Sequence, residues 1–196
     1  MKTLNLNKTA LVIIDLQKGI AGREGFAPYS AQDVLAKNKE LVTSLKNTEA
    51  LIVFVHVKNY GGEALKPKTD NPPLAHGQIP ADFSDFVMPE AYDKDYDNVI
   101  HVAKHNWGAF YGTNLDVQLR RRGIEEIVLS GIATTIGCCD TTAREAFQHG
   151  YQVIAVEDAM TDFNGSLHKG IVDGIFTRLG RVRSTQEVVK MIEESK

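Results

Sequence analysis

The sequence predicts an α/β fold in which helices cover both faces of a central parallel sheet. Short apolar runs alternate along the chain with amphipathic helical patterns, which is the order of elements in a doubly wound sheet. The two longest runs, 11–14 and 51–55, are wholly apolar and rich in β-branched residues, as in strands buried on both faces. We therefore expect a single domain, 1–196, with right-handed crossovers between its strands.

The elements follow in order from these patterns. Five runs have the length and composition of strands: 11–14, 51–55, 99–103, 127–129 and 151–156. Amphipathic spacing predicts the helices between and after them: about 31–47, 113–122, 141–149, 166–177 and 185–195. Gly123 suits the end of the second helix, and Thr142 with Glu145 has the spacing of a capping box in the third.

One stretch, 58–97, lacks this periodicity. It contains paired glycines, five prolines and scattered charges. A long irregular insert in a compact domain either covers a site or lies on the surface. We expect a flap over the pocket, with a solvated surface loop as the alternative.

Composition narrows the class of protein. The formal charge of −3 argues against nucleic acid or an anionic membrane surface as the main partner. No window approaches the roughly 20 apolar residues of a membrane span, and the first residues are too polar for a signal peptide. The two cysteines are adjacent, so they form no disulfide framework, and a reducing cytoplasm is expected.

Three reactive side chains are predicted to meet at one edge of the sheet. Asp15 and Lys104 follow the first and third strands, and Cys138 lies where the fourth strand turns into a helix. Ligands of open α/β sheets bind beyond the carboxyl ends of the strands, and a helix N-terminus stabilises a thiolate. Individually, these residues are more often a helix cap, a solvated charge and a small core side chain. Together they favour a catalytic site.

Three segments of the chain carry a resemblance to a known family. They are Thr9-Ala-Leu-Val-Ile-Ile-Asp15-Leu-Gln17, Lys104-His-Asn-Trp-Gly-Ala-Phe-Tyr-Gly-Thr113 and Gly131-Ile-Ala-Thr-Thr-Ile-Gly-Cys-Cys-Asp-Thr-Thr-Ala-Arg-Glu-Ala146. The chain resembles the isochorismatase-like hydrolases. The resemblance implies a Rossmann-like three-layer αβα sandwich, an Asp15–Lys104–Cys138 triad and a homo-oligomer, most often a dimer or tetramer. It also implies a cis peptide near Ile132–Ala133, with the backbone amides of Ala133 and Cys138 forming an oxyanion hole.

The reaction expected of this triad is hydrolysis of a small amide or ureido C–N bond through a thioester. The nucleophile position remains open among Cys138, Gly137 and Cys139, because one residue is extra between Gly131 and Thr142. With Gly137 at that position, the enzyme would instead hydrolyse an enol ether without a covalent step. A non-catalytic member that binds a partner or metabolite is a third alternative.

No metal or other cofactor is expected, and the partner is a small-molecule substrate. The resemblance implies an Asp-x-His metal motif in the nicotinamidase branch, whereas the matching region reads His56-Val-Lys-Asn-Tyr60. Nucleotide-binding glycine motifs are also missing from the sequence. Gln17 is a candidate for orienting the carboxylate or the substrate. Trp107 and Tyr111 either wall a pocket for a flat substrate or pack against the helix that follows.

Overall fold

A six-stranded parallel sheet forms the centre of the protein. The computed structural model describes residues 3–58, 70, 79–136 and 139–196. Its strand order is β3-β2-β1-β4-β5-β6, and every pairing is parallel. The strands are β1 (Thr9–Ile14), β2 (Leu51–Val57), β3 (Val99–Lys104), β4 (Glu126–Ile132), β5 (Gln152–Thr161) and β6 (Arg181–Arg183). The prediction of a parallel α/β fold is confirmed.

Helices cover both faces and make the three-layer sandwich. They are α1 (Lys18–Ala21), α2 (Ala31–Ser44), α3 (Leu115–Arg121), α4 (Cys139–Gln148), α5 (Gly165–Ile171), α6 (Thr177–Leu179) and α7 (Thr185–Glu193). Short 3₁₀ turns occupy Leu6–Lys8 and Pro89–Tyr92. Within the described ranges, no helix is both long enough and apolar enough to cross a bilayer.

The two faces of β1 enter two separate apolar cores. Leu11 and Ile13 pack with side chains of α2 and α7, whereas Val12 and Ile14 pack with those of α3, α4 and the 172–176 turn. Every residue of β1 is buried, as expected of a central strand with helices on both sides. Capping boxes at Ser30 and Ser184 begin α2 and α7, the two helices of the first face.

The structure differs from the sequence-based elements in three places. Strand β6 was not predicted. The helix expected at 166–177 is instead α5, a π-helical turn at Val172–Phe176 and α6. Helix α4 begins at Cys139, two residues before the expected start near 141, so Thr142 and Glu145 lie within the helix and do not cap it.

The second half of the 58–97 insert belongs to the core of the domain. Phe86, Met88 and Ala91 are buried against the face that also packs α2 and α7. The Phe86 ring stacks on His56 at a centroid distance of 4.8 Å and lies 5.4 Å from the Phe54 ring. This half is therefore fixed to β2 and β3. The predicted flap falls largely on 59–69 and 71–78, outside the described residues.

Candidate active site

Asp15 leaves the end of β1 in a constrained backbone conformation. Its φ is +55°, which is uncommon for a residue other than glycine, and its N–H donates to the Val55 carbonyl at 2.9 Å. Beside it, β4 approaches β1 so closely that a Cβ on Gly131 would lie 2.1 Å from the Ile14 carbonyl oxygen. Gly131 also has φ +123°, so this position requires glycine both for its backbone conformation and for its lack of a side chain. The backbone therefore fixes the direction in which the Asp15 side chain leaves β1.

Lys104, the last residue of β3, reaches past the end of β2 to this carboxylate. Its Nζ lies 2.8 Å from Asp15 Oδ2 and also donates to the Trp107 carbonyl at 2.7 Å. Lys104 is fully buried and Asp15 is 2% exposed, so solvent hardly screens the ion pair. The structure thus brings together the acid and the amine that the sequence placed at the same edge of the sheet.

The carboxyl group of Asp15 is poised to exchange a proton near neutral pH. Burial raises its pKa from an ordinary 3.8 to about 7, although the charge and hydrogen bond of Lys104 act in the opposite direction. Its second oxygen, Oδ1, is buried and has no hydrogen-bond partner among the described residues. An unsatisfied oxygen on such a group is a natural acceptor for a proton from a reacting molecule or nucleophile.

The turn after β4 forms the other side of the site. The peptide between Ile132 and Ala133 is cis, in agreement with the expectation from the family resemblance. The Ala133 carbonyl accepts from the N–H of Cys139 at 3.3 Å, and the Thr134 carbonyl accepts from the N–H of Asp140 at 2.9 Å. These bonds tie the turn to the first residues of α4.

Asp162, a residue that the sequence analysis missed, holds the middle of this turn. It is fully buried, and its Oδ2 accepts both the N–H and the hydroxyl of Thr135, at 2.6 and 2.8 Å. Its Oδ1 accepts the N–H groups of Phe163 and Asn164. The signal available in the sequence was a carboxylate at the carboxyl end of the fifth strand, beyond the predicted limit of 156.

A second missed residue, His168, lies on α5 behind the same turn. Its Nδ1 is 2.7 Å from the Thr134 hydroxyl, and the ring is buried. Burial lowers the pKa of His168, which favours the neutral imidazole. The turn is therefore held by two buried polar side chains, His168 on α5 and Asp162 just after β5.

Of the three candidates for the nucleophile position, only Cys139 lies within the described residues. Gly137 and Cys138 lie outside the described residues. Cys139 is fully buried at the start of α4, in the apolar core that also contains Ile14 and Ala143. This placement gives Cys139 a packing role.

The predicted substrate-contacting residues have different environments. The Gln17 amide is buried and engaged with backbone: Nε2 donates to the Val57 and Phe83 carbonyls, and Oε1 accepts the N–H of Val57 at 2.7 Å. These bonds favour a structural role, joining the insert to the sheet, over the expected contact with substrate. Trp107 and Tyr111 are 59% and 65% exposed, so neither is packed against the following helix as a core residue would be.

Within the described ranges, no cluster of three or more His, Cys, Asp or Glu side chains could hold a metal ion. His56 and His101, which lie on β2 and β3, are bonded to backbone carbonyls of the insert. His56 Nδ1 is 2.8 Å from the Ser84 oxygen, and His101 Nε2 is 2.7 Å from the Ala91 oxygen. Both rings help to hold the insert against the sheet.

Comparisons with known proteins show which family the chain resembles in sequence and in structure. A family model for the isochorismatase domain matches residues 9–187. The chain is 47% identical to YwoC of Bacillus subtilis, an uncharacterized isochorismatase family protein, over 98% of this chain and 100% of that one. It is 27% identical to the ureidoacrylate amidohydrolase RutB of Variovorax paradoxus, over 95% of this chain and 82% of that one. A solved isochorismatase family protein from Burkholderia thailandensis superposes with a TM-score of 0.87 at 41% identity, covering 97% of this chain and 98% of that one.

Proposed function

Since the chain belongs to the isochorismatase family of hydrolases, we propose that it cleaves a small amide or ureido C–N bond through a thioester on Cys138. The observation that carries the proposal is the buried Asp15–Lys104 pair at 2.8 Å, whose carboxyl pKa lies at about 7. A general base is most effective when its pKa is near the working pH. The resemblance to an amidohydrolase, RutB, supports an amide or ureido group as the scissile unit.

In the first half of the reaction, Asp15 removes the proton of the Cys138 thiol. The thiolate attacks the substrate carbonyl carbon, and the C–O π electrons move to oxygen. The backbone amides of Ala133 and Cys138 are the proposed donors to this oxyanion, a contribution of about 3–4 kcal/mol for each donor in comparable sites. When the oxyanion collapses, the C–N bond breaks, and Asp15 returns its proton to the leaving nitrogen.

In the second half, water replaces the amine. Asp15 takes a proton from the water, and the resulting hydroxide attacks the thioester carbon. The C–S bond breaks, the carboxylic acid product leaves and the thiol regains its proton. Lys104 takes no part in these proton transfers. Its role is to keep Asp15 from binding its proton too tightly, because an adjacent cation lowers a carboxyl pKa.

A second function is favoured by the same raised pKa. A carboxyl group with a pKa of about 7 carries a proton for much of the time at neutral pH, so Asp15 could protonate an enol ether directly. Water would then add to the resulting oxocarbenium carbon, and the hemiketal would break down to an alcohol and a ketone. This route requires no thiol, and it is the one expected with Gly137 at the nucleophile position.

Three variants separate the two functions. Cys138→Ala and Asp15→Asn should each lower amide turnover by about 10³-fold or more, while Cys139→Ala, which removes the adjacent buried thiol, should leave it within a few fold. Rapid quenching of the wild-type reaction should reveal an acyl adduct on the peptide that contains Cys138, by mass spectrometry. Full turnover of an enol ether by Cys138→Ala, with no amide cleavage and no adduct in the wild type, would establish the second function.

A further inference from the structure

The buried ammonium of Lys104 depends on a loop for one of its acceptors. This acceptor, the Trp107 carbonyl, is 2.7 Å from Nζ and belongs to the loop 105–111 that follows β3. A backbone carbonyl can orient an ammonium only if the loop that carries it is itself fixed. The contacts of loop 105–111 therefore bear on how firmly Lys104 is held against Asp15.

Helix α4 supplies contacts to this loop from two side chains, one turn apart. The Thr142 hydroxyl, which is fully buried, accepts the N–H of Ala109 at 3.1 Å. Glu145 Oε2 accepts the N–H of Phe110 at 3.3 Å. Because residues at i and i+3 lie on the same face of a helix, α4 presents both acceptors to consecutive amides of the loop.

Gly108 allows the loop to lie directly on the Glu145 carboxylate. A Cβ on Gly108 would be 2.1 Å from Glu145 Oε2, so a side chain at this position would require the Glu145 carboxylate to move away from the loop. The backbone of Gly108 is not in the left-handed region, so what the glycine provides here is room for that carboxylate. The three consecutive residues after Trp107 are thus all in contact with α4.

The same helix borders the proposed nucleophile. Helix α4 begins at Cys139, whose N–H donates to the Ala133 carbonyl. Helix α4 therefore contacts both the turn after β4, which contains the proposed oxyanion donor Ala133, and the loop whose Trp107 carbonyl accepts from Lys104.

We propose that Thr142 and Glu145 are positioning residues that hold loop 105–111 so that the Trp107 carbonyl keeps the Lys104 ammonium on Asp15. The proposal rests on the proposed function only in giving Asp15 the proton-transfer role. Its physical consequence is a change in the proton affinity of Asp15. If the loop loosens, the ammonium interacts less with the carboxylate, and the Asp15 pKa rises.

The size of the change follows from the ion pair. An opposite charge at this distance lowers a carboxyl pKa by about 1–3 units, so partial loss of orientation should raise the Asp15 pKa by roughly 0.5–1 unit. In a turnover assay, the acidic limb of the pH profile would move upward by the same amount.

The test is a ¹³C NMR titration of the aspartate carboxyl groups, with the Asp15 signal assigned by its loss in Asp15→Asn. Thr142→Val removes the acceptor without changing shape or charge, and Thr142→Ser restores it. We expect the upward shift with valine and not with serine. Gln148→Ala, at an exposed position of the same helix, is the control and should leave the Asp15 titration unchanged.

Glu145 gives an independent arm that separates geometry from charge. Glu145→Ala removes the acceptor and a negative charge, whereas Glu145→Gln removes the charge and keeps an acceptor. Positioning predicts an upward shift for alanine only. A downward shift in both variants would mean that Glu145 acts only through its charge. That result, or an unmoved Asp15 titration in Thr142→Val and Glu145→Ala, would overturn the proposal.

The titration needs no substrate, so it fails or succeeds separately from the proposed function. An upward shift in variants of a protein that hydrolyses no amide would support the positioning role and refute the amidase assignment. Amide turnover that depends on Cys138, together with an unchanged Asp15 titration, would do the reverse.

Discussion

The Asp15–Lys104 pair should make the free energy of unfolding depend on pH, and replacing Lys104 should change that dependence in a defined way. The folded pKa of Asp15, about 7, exceeds the ordinary value of 3.8 that applies to the unfolded chain. Between these two values the folded protein holds a proton that the unfolded chain has released. The stability that Asp15 contributes is therefore fully present below about pH 3.8 and is lost as the pH rises through 7.

The magnitude can be worked from the same two values. At 1.36 kcal/mol per pH unit, the interval between 3.8 and about 7 corresponds to a loss of about 4 kcal/mol, complete once the carboxylate is ionised in the folded state. In Lys104→Met the main group that lowers the Asp15 pKa is gone, so the Asp15 carboxyl ionises at a higher pH. Stability should then continue to fall above pH 7, by about 1.4 kcal/mol per unit, where the wild type has levelled off.

Urea unfolding at pH 5 to 9 measures this effect. Asp15→Asn/Lys104→Met is the reference, because subtracting its curve removes the titration of the histidines and leaves the contribution of the pair. This double variant should match or exceed the stability of the wild type at pH 8, since replacing a buried ion pair by neutral groups is often neutral or stabilising by about 1–4 kcal/mol. If the curves of Lys104→Met and the wild type level off at the same pH, then Lys104 does not govern the proton affinity of Asp15.

Two further predictions concern the frame of the site. Gly131→Ala should lower the free energy of unfolding in urea by about 3 kcal/mol or more, because its Cβ would meet the Ile14 carbonyl oxygen at 2.1 Å. Gly123→Ala, at positive φ with open space around it, should lower it by only about 1–2 kcal/mol. Equal losses in the two variants would refute the steric argument. Asp162→Asn should lower the free energy of unfolding by about 2–3 kcal/mol and also lower activity. Either orientation of the amide turns its NH₂ group toward N–H groups whose hydrogen bonds the carboxylate accepts. A stability unchanged from the wild type would show that Thr135 is held by other contacts.

The sequence is sufficient to predict five of the six strands because burial leaves a strong pattern in it. A central parallel strand such as β1 must be apolar on both faces, which produces a continuous apolar run such as 11–14. Once the strands are known, their carboxyl ends define an edge, and Asp15 and Lys104 are found there by counting. That part of the site follows from topology and required no knowledge of side-chain geometry.

The capping-box interpretation of Thr142 and Glu145 was wrong for a physical reason. Two polar residues three apart can cap the start of a helix or lie on one face within it, and the local sequence is the same in both cases. What decides between them is a long-range partner, here the amides of Ala109 and Phe110, more than 30 positions earlier in the chain. Local patterns carry no information about such partners.

Strand β6 escaped prediction because it is short and polar. Its three residues, Arg181–Arg183, are only half-buried, so they lack the apolar signal of the inner strands. It pairs with β5 at the edge of the sheet, and Gly180 just before it lies so close to the Val153 carbonyl that a Cβ would be 2.2 Å away. A strand of this kind is specified by its neighbour more than by its own composition.

The position of the Asp15–Lys104 pair is therefore a property of the sheet and not of the pair's own attraction. Transferring two charges from water to the interior costs several kcal/mol for each, and their attraction offsets this only in part. The register of β1 against β4 and the end of β3 at Lys104 bring the two side chains to the same buried edge of the sheet despite this cost. A carboxylate held where it is poorly solvated is one that gains from accepting a proton. The burial that makes ionised Asp15 unfavourable to the fold thus also gives it a proton affinity suited to proton transfer at neutral pH.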